Sequence, residues 1–415
     1  MKLLWLCNMP PSAVQEQISG TAAGGLWVDH VLAGLRTQDM TIRILSPGGR
    51  AEGTLDERCS YRTFREGAPY VYLPELEKWF LEELKGYQPD VIHIWGTEYG
   101  HTLALVKAAK QLNLLDRVVV SIQGLCSVIA KHYAEGVPYW TQKLPTFRDF
   151  LRQDTIAQQQ DKFLLRGVLE VETLKTVHHV IGRTHWDRAC ALQINPGLQY
   201  HLCNETLREP FYEDHWSYER CSKHTVFTAS HSYPVKGFHY AIQAFAEVCA
   251  EYPDARLMVT GKSFFPRSFR EKLRQNGYQR YLAKLADRCG IADRITFLGG
   301  LSPEKMKQAF LDANVFILPS TIENSPNALG EAMLLGVPCV ANDVGGVMTL
   351  MDHGTEGYVC PSTAPYMMAH YIKTIFAREA QAAALGDAAR KHARCIHDPE
   401  KNLRDLLAIY NEISG

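Results

Sequence analysis

Short apolar runs alternate with longer amphipathic stretches along most of the chain. The first half contains apolar runs that we predict as strands at residues 3–7, 41–45, 91–94, 118–122 and 177–181. A second series follows at residues 225–229, 256–260, 295–298, 315–318 and 338–341, with predicted helices such as 237–252 and 303–312 between its members. Continuous apolar strands separated by helices are typical of buried parallel sheets built from βαβ units. The pattern therefore predicts an α/β fold with two windings.

A polar stretch at residues 204–222 separates the two series, and we interpret it as the linker. A chain of 415 residues also exceeds one typical hydrophobic core, which favours two domains. The predicted domains are residues 1–205 and 206–398. Residues 399–413 are predicted to form one further helix.

The segment from Pro319 to Met333 predicts a binding site. The apolar run at residues 315–318 ends at Pro319, and Ser325 followed by Pro326 is typical of a helix start, so a helix is expected over 326–335. The free N–H groups and the positive dipole end of that helix would lie beyond the carboxyl end of the strand. Such a position suits an anion.

Two glutamates in this segment differ in position and hence in predicted role. Glu323 lies in the loop, whereas Glu331 projects from the helix on the face shared with Asn327. A bound phosphate repels carboxylates, so each is better suited to accept hydrogen bonds from the hydroxyl groups of a sugar or ribose. An isolated pair of glutamates is more often simply exposed, but this neighbourhood favours binding.

A second candidate segment runs from Ser230 to Gly237, after a predicted strand and before an amphipathic helix. Phosphates bind at this position in open α/β sheets, and Lys236 would supply a positive charge to a diphosphate. His231 would donate to a phosphate, with a contribution that weakens as the pH rises above about 6.5. Gly24 and Gly25 follow the first strand and would permit close approach of the backbone to a ligand, although a plain turn is the alternative.

Two loops of the first domain also follow strands. Trp95 and Glu98 lie after the third strand and Gln123 after the fourth, so all three are expected on the ligand side of the sheet. Gln123 can orient a ligand by hydrogen bonds but cannot act as a base. Arg183, just before a helix capped by Thr184, would either reach the ligand or pair with an acid.

The spacing Glu323-x7-Glu331, with Leu318-Pro319-Ser320 before it and Gly336-Val337-Pro338 after it, resembles the signature of family 4 retaining glycosyltransferases. The similarity continues through residues 340–346 and 354–359. The resemblance implies a GT-B fold, in which two Rossmann-like domains face each other across a cleft. It also implies that the C-terminal domain binds a nucleotide-sugar donor, the N-terminal domain binds the acceptor, and the last helix packs back onto the first domain.

The resemblance assigns roles to the candidate residues. Glu323, Lys236 and Gln123 become catalytic candidates, and Trp95, Glu98 and Arg183 become acceptor-side candidates. The donor-binding candidates are Gly24, Gly25, His231, Lys236, Glu323, Asn324, Ser325, Pro326, Asn327 and Glu331, with Glu323 on a donor-sugar hydroxyl and Glu331 on the ribose. This chain departs from the family where His231 replaces a common arginine and Gln123 a common histidine.

The amino-acid composition argues against several classes of protein. A net charge of −1 and 46% hydrophobic residues are typical of a soluble globular protein without the basic field that nucleic acid requires. Eleven scattered cysteines without a CxxC pair argue against a disulfide framework or a zinc site, and a cytoplasmic location is expected. The chain has no DxD motif, so we expect neither a metal nor another cofactor.

Basic and aromatic residues alternate between Lys131 and Arg152, a pattern that suits peripheral contact with the inner face of a membrane. Acidic residues dilute that charge, so a packed helix pair or a lid over the acceptor is an equal alternative.

The prediction for the whole chain is a retaining, metal-independent glycosyltransferase. Its donor would be a UDP- or GDP-sugar and its acceptor a saccharide or a lipid-linked saccharide, in polysaccharide or glycoconjugate biosynthesis. A nucleotide-sugar epimerase, a sugar phosphorylase and an inactive nucleotide-sugar binding module remain alternatives.

Overall fold

The computed structural model describes residues 1–20 and 27–415 and divides them into two compact units. Unit 1 comprises Met1–Ala130, Lys162–Arg208 and His397–Gly415, and unit 2 comprises Lys131–Asp161 and Glu209–Ile396. Residues 131–161, which the sequence analysis counted with the first domain, therefore pack within unit 2. Gly24 and Gly25 lie outside the described residues, so their predicted role stays a prediction.

Unit 1 contains an eight-stranded sheet in the part of the chain described, in the order β3-β4-β2-β1-β5-β6-β7-β8. All neighbouring pairs are parallel except β3 and β4. The strands, numbered in chain order, are β1 (Lys2–Leu6), β2 (Thr41–Pro47), β3 (Glu52–Asp56), β4 (Cys59–Phe64), β5 (Val91–Trp95), β6 (Val118–Ser121), β7 (His179–Gly182) and β8 (Gln199–Leu202).

The helices of unit 1 cover this sheet. They are α1 (Ser12–Ser19), α2 (Trp27–Arg36), α3 (Pro74–Tyr87), α4 (Gly100–Gln111), α5 (Cys126–His132), α8 (Ile156–Thr176), α9 (His185–Ile194) and α18 (Pro399–Ser414), with a 3₁₀ turn at Leu115–Arg117; α5 and α8 continue into unit 2. The final helix, α18, packs on the sheet, where the Tyr410 hydroxyl accepts a hydrogen bond from Trp5 Nε1 at 3.1 Å. The same hydroxyl lies 2.5 Å from Nδ1 of His93, which is a core residue whose burial lowers its pKa to about 3.

Unit 2 contains a six-stranded parallel sheet, counted over the described chain, in the order β11-β10-β9-β12-β13-β14. Its strands are β9 (Thr225–Thr228), β10 (Arg256–Val259), β11 (Ile295–Phe297), β12 (Val315–Leu318), β13 (Cys339–Asn342) and β14 (Tyr358–Cys360). Its helices are α6 (Tyr139–Lys143), α7 (Phe147–Arg152), α10 (Phe238–Cys249), α11 (Phe269–Arg274), α12 (Gly277–Arg288), α13 (Pro303–Asp312), α14 (Asn327–Leu335), α15 (Val347–Leu350), α16 (Pro365–Ala377) and α17 (Glu379–Ile396), with 3₁₀ turns at Glu209–Tyr212, Pro234–Lys236 and Ala292–Arg294.

The strand order of each sheet reverses once. In unit 2 the chain moves outward from β9 through β10 to β11 and then outward on the other side from β12, so the two halves meet between β9 and β12. In unit 1 the corresponding point lies between β1 and β5. Ligands of open α/β sheets bind beyond the carboxyl ends of the strands at such points. No helix among the described residues is long and apolar enough to cross a membrane.

Candidate functional site

The reversal point of unit 2 brings together two residues that are 87 positions apart in the chain. Lys236 follows β9 and Glu323 follows β12, and the distance from Lys236 Nζ to Glu323 Oε1 is 2.7 Å. The Ser320 hydroxyl donates to the same carboxylate oxygen at 2.7 Å. In the described part of the chain Glu323 Oε2 has no hydrogen-bond partner. One oxygen of Glu323 is therefore anchored, and the other is available to a ligand hydroxyl.

Backbone hydrogen bonds hold the two loops in this position. The Thr321 N–H donates to the Val235 carbonyl at 2.8 Å, and the Gly346 N–H donates to the Glu323 carbonyl at 3.0 Å. Gly237 has φ +62°, and a Cβ at this position would lie 1.8 Å from the Pro319 carbonyl oxygen. Only glycine permits this approach of the lysine loop to the glutamate loop.

The charge of Lys236 is maintained at the site. Burial disfavours the ammonium form, but the adjacent Glu323 carboxylate and the Tyr233 side chain outweigh it and raise the pKa of Lys236 above its usual value. The side chain keeps 27% of its surface exposed, against 12% for Glu323. Lys236 is thus a permanently charged and accessible partner for an anion at neutral pH.

Helix α14 begins beside this pair. Pro326 occupies the N-cap position and Asn327 is the first helical residue, one position later than predicted, because Pro326 keeps an extended backbone with ψ 108°. Asn324 and Pro326 are buried, whereas Ser325 and Asn327 are partly exposed. Glu331 lies one turn into the helix and is 3% exposed. In the first turn the Leu329 N–H donates to the Pro326 carbonyl at 2.9 Å, whereas the N–H groups of Asn327 and Ala328 have no partner among the described residues. These two groups complete a site suited to an anion.

His231 lies in an aromatic environment that the sequence did not predict. Its ring is 5% exposed and packs against Phe238, Phe264 and Phe297 at centroid distances of 5.4–5.6 Å. Burial lowers its pKa below the usual value, so the ring is neutral at physiological pH. The predicted weakening of phosphate binding above about pH 6.5 is therefore wrong, because the imidazole is already neutral at that pH and has no charge to lose. Its role as a donor-site residue stays a prediction.

In unit 1, three of the predicted residues line one cavity of about 160 Å³, namely Trp95, Gln123 and Arg183. Gln123 Nε2 donates to Glu205 Oε1 at 3.1 Å, and the Arg183 guanidinium forms an ion pair with the same carboxylate. Arg183 also donates to the carbonyl of Ile122 at 3.0 Å. Arg183 is 5% exposed and has paired with an acid, which was one of its two predicted outcomes.

Glu98 is placed differently from these three residues. It accepts a hydrogen bond from Arg166 Nη2 at 2.6 Å and one from the Thr97 N–H at 3.0 Å, and it is 6% exposed. Nearby Glu170 accepts from the N–H groups of Cys126 and Ser127 at the start of α5. These buried carboxylates hold the loops that carry the acceptor-side candidates, and the acceptor-side role of Glu98 stays a prediction.

Sequence reasoning missed several residues at these strand ends. Asn8 lies two residues after the end of β1, at the reversal point of unit 1. Its Oδ1 lies 3.2 Å from Nε2 of His101, and Nδ1 of the same ring contacts Glu66. The position of Asn8 after the first strand was a usable signal. Glu205 follows β8, a strand with a single buried residue, so its sequence gave no comparable signal. Across the described residues no three His, Cys, Asp or Glu side chains lie together as metal ligands would.

Residues 214–392, which include Lys236, Glu323 and Glu331, match the sequence profile of Glycosyl transferases group 1. This part of the chain is therefore similar to the Glycosyl transferases group 1 family. A D-inositol 3-phosphate glycosyltransferase of Streptomyces avermitilis is 32% identical over 28% of this chain and 25% of its own length. The putative glycosyltransferase YtcC of Bacillus subtilis is 23% identical over 86% of this chain and 82% of its own length.

Solved structures match almost the whole chain. Sucrose-phosphate synthase from Thermosynechococcus elongatus superposes with a TM-score of 0.70 at 17% identity, covering 100% of this chain and 99% of the other. Anabaena Alr3699/HepE in complex with UDP gives a TM-score of 0.66 at 18% identity, covering 99% and 100%. The lipopolysaccharide glycosyltransferase WaaG gives 0.62 at 14% identity, covering 97% and 98%. The fold is thus the two-domain α/β fold of GT-B glycosyltransferases, as predicted.

Proposed function

We propose that this protein is a retaining glycosyltransferase that moves a sugar from a nucleotide-sugar donor to a saccharide or lipid-linked acceptor, without a metal or other cofactor. The observation that carries the proposal is the Lys236–Glu323 pair at the reversal point of unit 2, beside the start of α14. A cation next to helix N–H groups suits a diphosphate, and a carboxylate with one available oxygen suits a sugar hydroxyl.

The proposed reaction breaks the bond between the anomeric carbon and the diphosphate oxygen and forms a bond from the acceptor oxygen on the same face of the sugar. The acceptor proton passes to the leaving phosphate oxygen, so the protein needs no basic side chain. Lys236 and the first-turn N–H groups of α14 stabilise the growing negative charge of the diphosphate. Glu323 orients the sugar through Oε2 and remains fixed by Lys236 and Ser320 through Oε1.

We propose a UDP- or GDP-sugar as the donor. Support comes from the names of similar proteins, since HepE was solved with UDP-glucose and a mannosyltransferase of Mycobacterium tuberculosis, 26% identical over 40% of this chain, is GDP-mannose-dependent. Glu331 would bind the ribose. We assign the acceptor to unit 1, where the cavity lined by Trp95, Gln123 and Arg183 supplies apolar surface and hydrogen-bonding groups. A cytoplasmic role in polysaccharide or glycoconjugate biosynthesis completes the proposal.

Thermal unfolding with UDP, GDP, ADP, CMP and their common sugar conjugates tests the donor site first. A ligand at one hundred times its dissociation constant adds about 2.7 kcal/mol to the unfolding free energy, which raises Tm by several degrees. One nucleotide should act selectively. If a folded sample shows no shift with any nucleotide, the proposed donor site is wrong.

Product analysis with the selected donor then separates the alternatives. A glycosyltransferase gives a new glycoside with retained anomeric configuration, an epimerase gives an altered nucleotide sugar, and a phosphorylase gives a sugar phosphate. Nucleotide binding without turnover in any acceptor pool would instead support an inactive binding module.

A further inference from the structure

One part of unit 2 exposes an unusual number of large apolar side chains. On the short helices α6, α7 and α11, the exposed fractions lie between 58% and 74% for Tyr139, Trp140, Phe147, Phe150, Leu151 and Phe269. Scattered single apolar residues are normal on a protein surface, whereas a group of six marks an interaction site. The profile match begins only at residue 214, so the α6–α7 part of this region lies outside it.

Helices α7 and α11 pack side by side and form a groove of about 650 Å³. Four arginines, Arg148, Arg152, Arg270 and Arg274, line this groove together with three apolar side chains of the same two helices. We call this groove, together with the exposed Phe150 of α7 and Phe269 of α11, the α7–α11 surface. Its combination of exposed phenylalanines with arginines matches a surface that is both apolar and anionic.

The exposed charge of this surface is strongly positive. Residues 147–152 and 267–274 contain six basic side chains and two acidic ones. One of the acids, Asp149, is 1% exposed and accepts hydrogen bonds from the N–H groups of its own helix start and from Gly277 at 2.7 Å. Arg148 pairs with Asp149 and Asp154. Arg152, Arg270 and Arg274 form no ion pair with any described residue.

We propose that the α7–α11 surface binds the face of an anionic lipid bilayer. Phe150 and Phe269, exposed by 72% and 74%, would enter the boundary between headgroups and acyl chains, and the arginines would lie at the lipid phosphates. A second copy of the chain fits less well, because a two-fold interface would bring the arginines of one copy against those of the other. The proposal does not depend on the proposed sugar transfer.

The attachment of α7 to the body of unit 2 makes it a rigid platform. A capping box between Thr146 and Asp149 fixes the start of the helix, and the Asp149 carboxylate ties it to Gly277 at the start of α12. Binding would therefore need no prior folding of the surface. This arrangement distinguishes it from a flexible basic segment that orders only on a membrane.

Co-sedimentation with large unilamellar vesicles tests the proposal on the full chain. The protein should bind vesicles of phosphatidylcholine and phosphatidylglycerol at a ratio of 7:3, and bind pure phosphatidylcholine at least tenfold more weakly. Arg152→Glu/Arg270→Glu/Arg274→Glu should lower the partition coefficient at least 100-fold, since each lost basic charge accounts for about fivefold. Phe150→Ser/Phe269→Ser should lower it at least tenfold.

Control variants place one charge reversal and one aromatic-to-serine change elsewhere on exposed positions of unit 2. Lys391→Glu and Tyr366→Ser, at an exposed lysine of α17 and a tyrosine of α16 exposed by 61%, should each leave vesicle binding within twofold of the wild type. Circular dichroism melting verifies that every variant is folded.

Three results would overturn the proposal. The first is no binding of the wild type to anionic vesicles, and the second is wild-type binding by either the charge variant or the phenylalanine variant. The third is a dimer in sedimentation velocity that both variants convert to a monomer without any vesicle binding, which would make the surface a self-association site.

Discussion

The carboxylate of Glu323 offers the sharpest test of the proposed site. The variant Glu323→Gln keeps the size of the side chain and an oxygen that can still accept from Ser320 and Lys236. It removes the charge and replaces one carboxylate oxygen by an NH2 group, which cannot accept a hydrogen bond from a sugar hydroxyl. A hydrogen bond from a sugar hydroxyl to a charged acceptor contributes about 1.5–3 kcal/mol, so its loss in the transition state should lower kcat roughly 10- to 150-fold.

Nucleotide affinity should respond in the opposite sense or not at all. Lys236 loses the anion that lies 2.7 Å from its Nζ and becomes a better partner for a diphosphate. We expect the dissociation constant of the free nucleotide to stay within about threefold of the wild type or to become smaller. Because the pair is partly exposed to solvent, the stability cost of breaking it should be only about 1 kcal/mol.

Three measurements check this reasoning: steady-state transfer with the selected donor, nucleotide titration by calorimetry, and thermal unfolding. Glu251→Gln is the matched control, because Glu251 pairs with Lys373 in a surface ion pair and should change none of the three. Glu331→Gln should instead weaken nucleotide binding. Equal losses of turnover and of nucleotide affinity in Glu323→Gln, or a kcat within twofold of the wild type, would refute the assignment.

Gly237→Ala should destabilise unit 2 by more than about 2 kcal/mol in urea unfolding, because a Cβ there meets the Pro319 carbonyl, whereas Gly20→Ala, with φ +70° and open space, should cost only about 1 kcal/mol. Burial raises the pKa of Glu170 to about 7. Between about pH 4.5 and 7 the folded state therefore keeps a proton that the unfolded state has released, so this group lowers the stability of the protein as the pH rises through that range. Glu170→Gln should therefore remove a fall in stability of up to about 3 kcal/mol from the wild-type pH profile, and parallel profiles would contradict this. Gln123→Ala should reduce sugar transfer at least fivefold and leave nucleotide titration unchanged, since Gln123 lines the proposed acceptor cavity in unit 1. A weakened nucleotide affinity would contradict the proposed acceptor cavity.

The sequence predicted best those elements that have an unbroken apolar run or a clear helix start. Strand β12 and helix α13 have the predicted bounds, because an unbroken buried run ends at Pro319 and a helix begins with Pro303 after the capping Ser302. Strand β3 was not predicted, since its residues alternate between exposed and half-buried and give no apolar run. Such an edge strand depends on pairing with β4 more than on its own composition.

The candidate site was predictable in its residues but not in its contacts. Strand ends and glycines indicated Lys236 and Glu323 separately, whereas their pairing depends on β9 and β12 being neighbours, which only the sheet order determines. The environment of His231 depends on Phe264 and Phe297, which come from loops and strands with no sequence relation to it. Sequence position alone therefore could not show the aromatic pocket that surrounds His231.

The two oxygens of the Glu323 carboxylate have different partners, which would allow one site to bind two parts of the proposed donor. Lys236 holds Oε1, so the carboxylate neither rotates freely nor needs to leave its position when a sugar hydroxyl donates to Oε2. At the same time the lysine remains charged and partly exposed, and can donate its remaining N–H groups to a diphosphate. In the proposed reaction the carboxylate would restrain the cation that binds the leaving group, and the cation would orient the carboxylate that binds the sugar. Because Lys236 and Glu323 hold each other in position, a substitution that changes the shape of either side chain should disturb the position of both. Glu323→Gln keeps the shape of the side chain and therefore tests the effect of its charge alone.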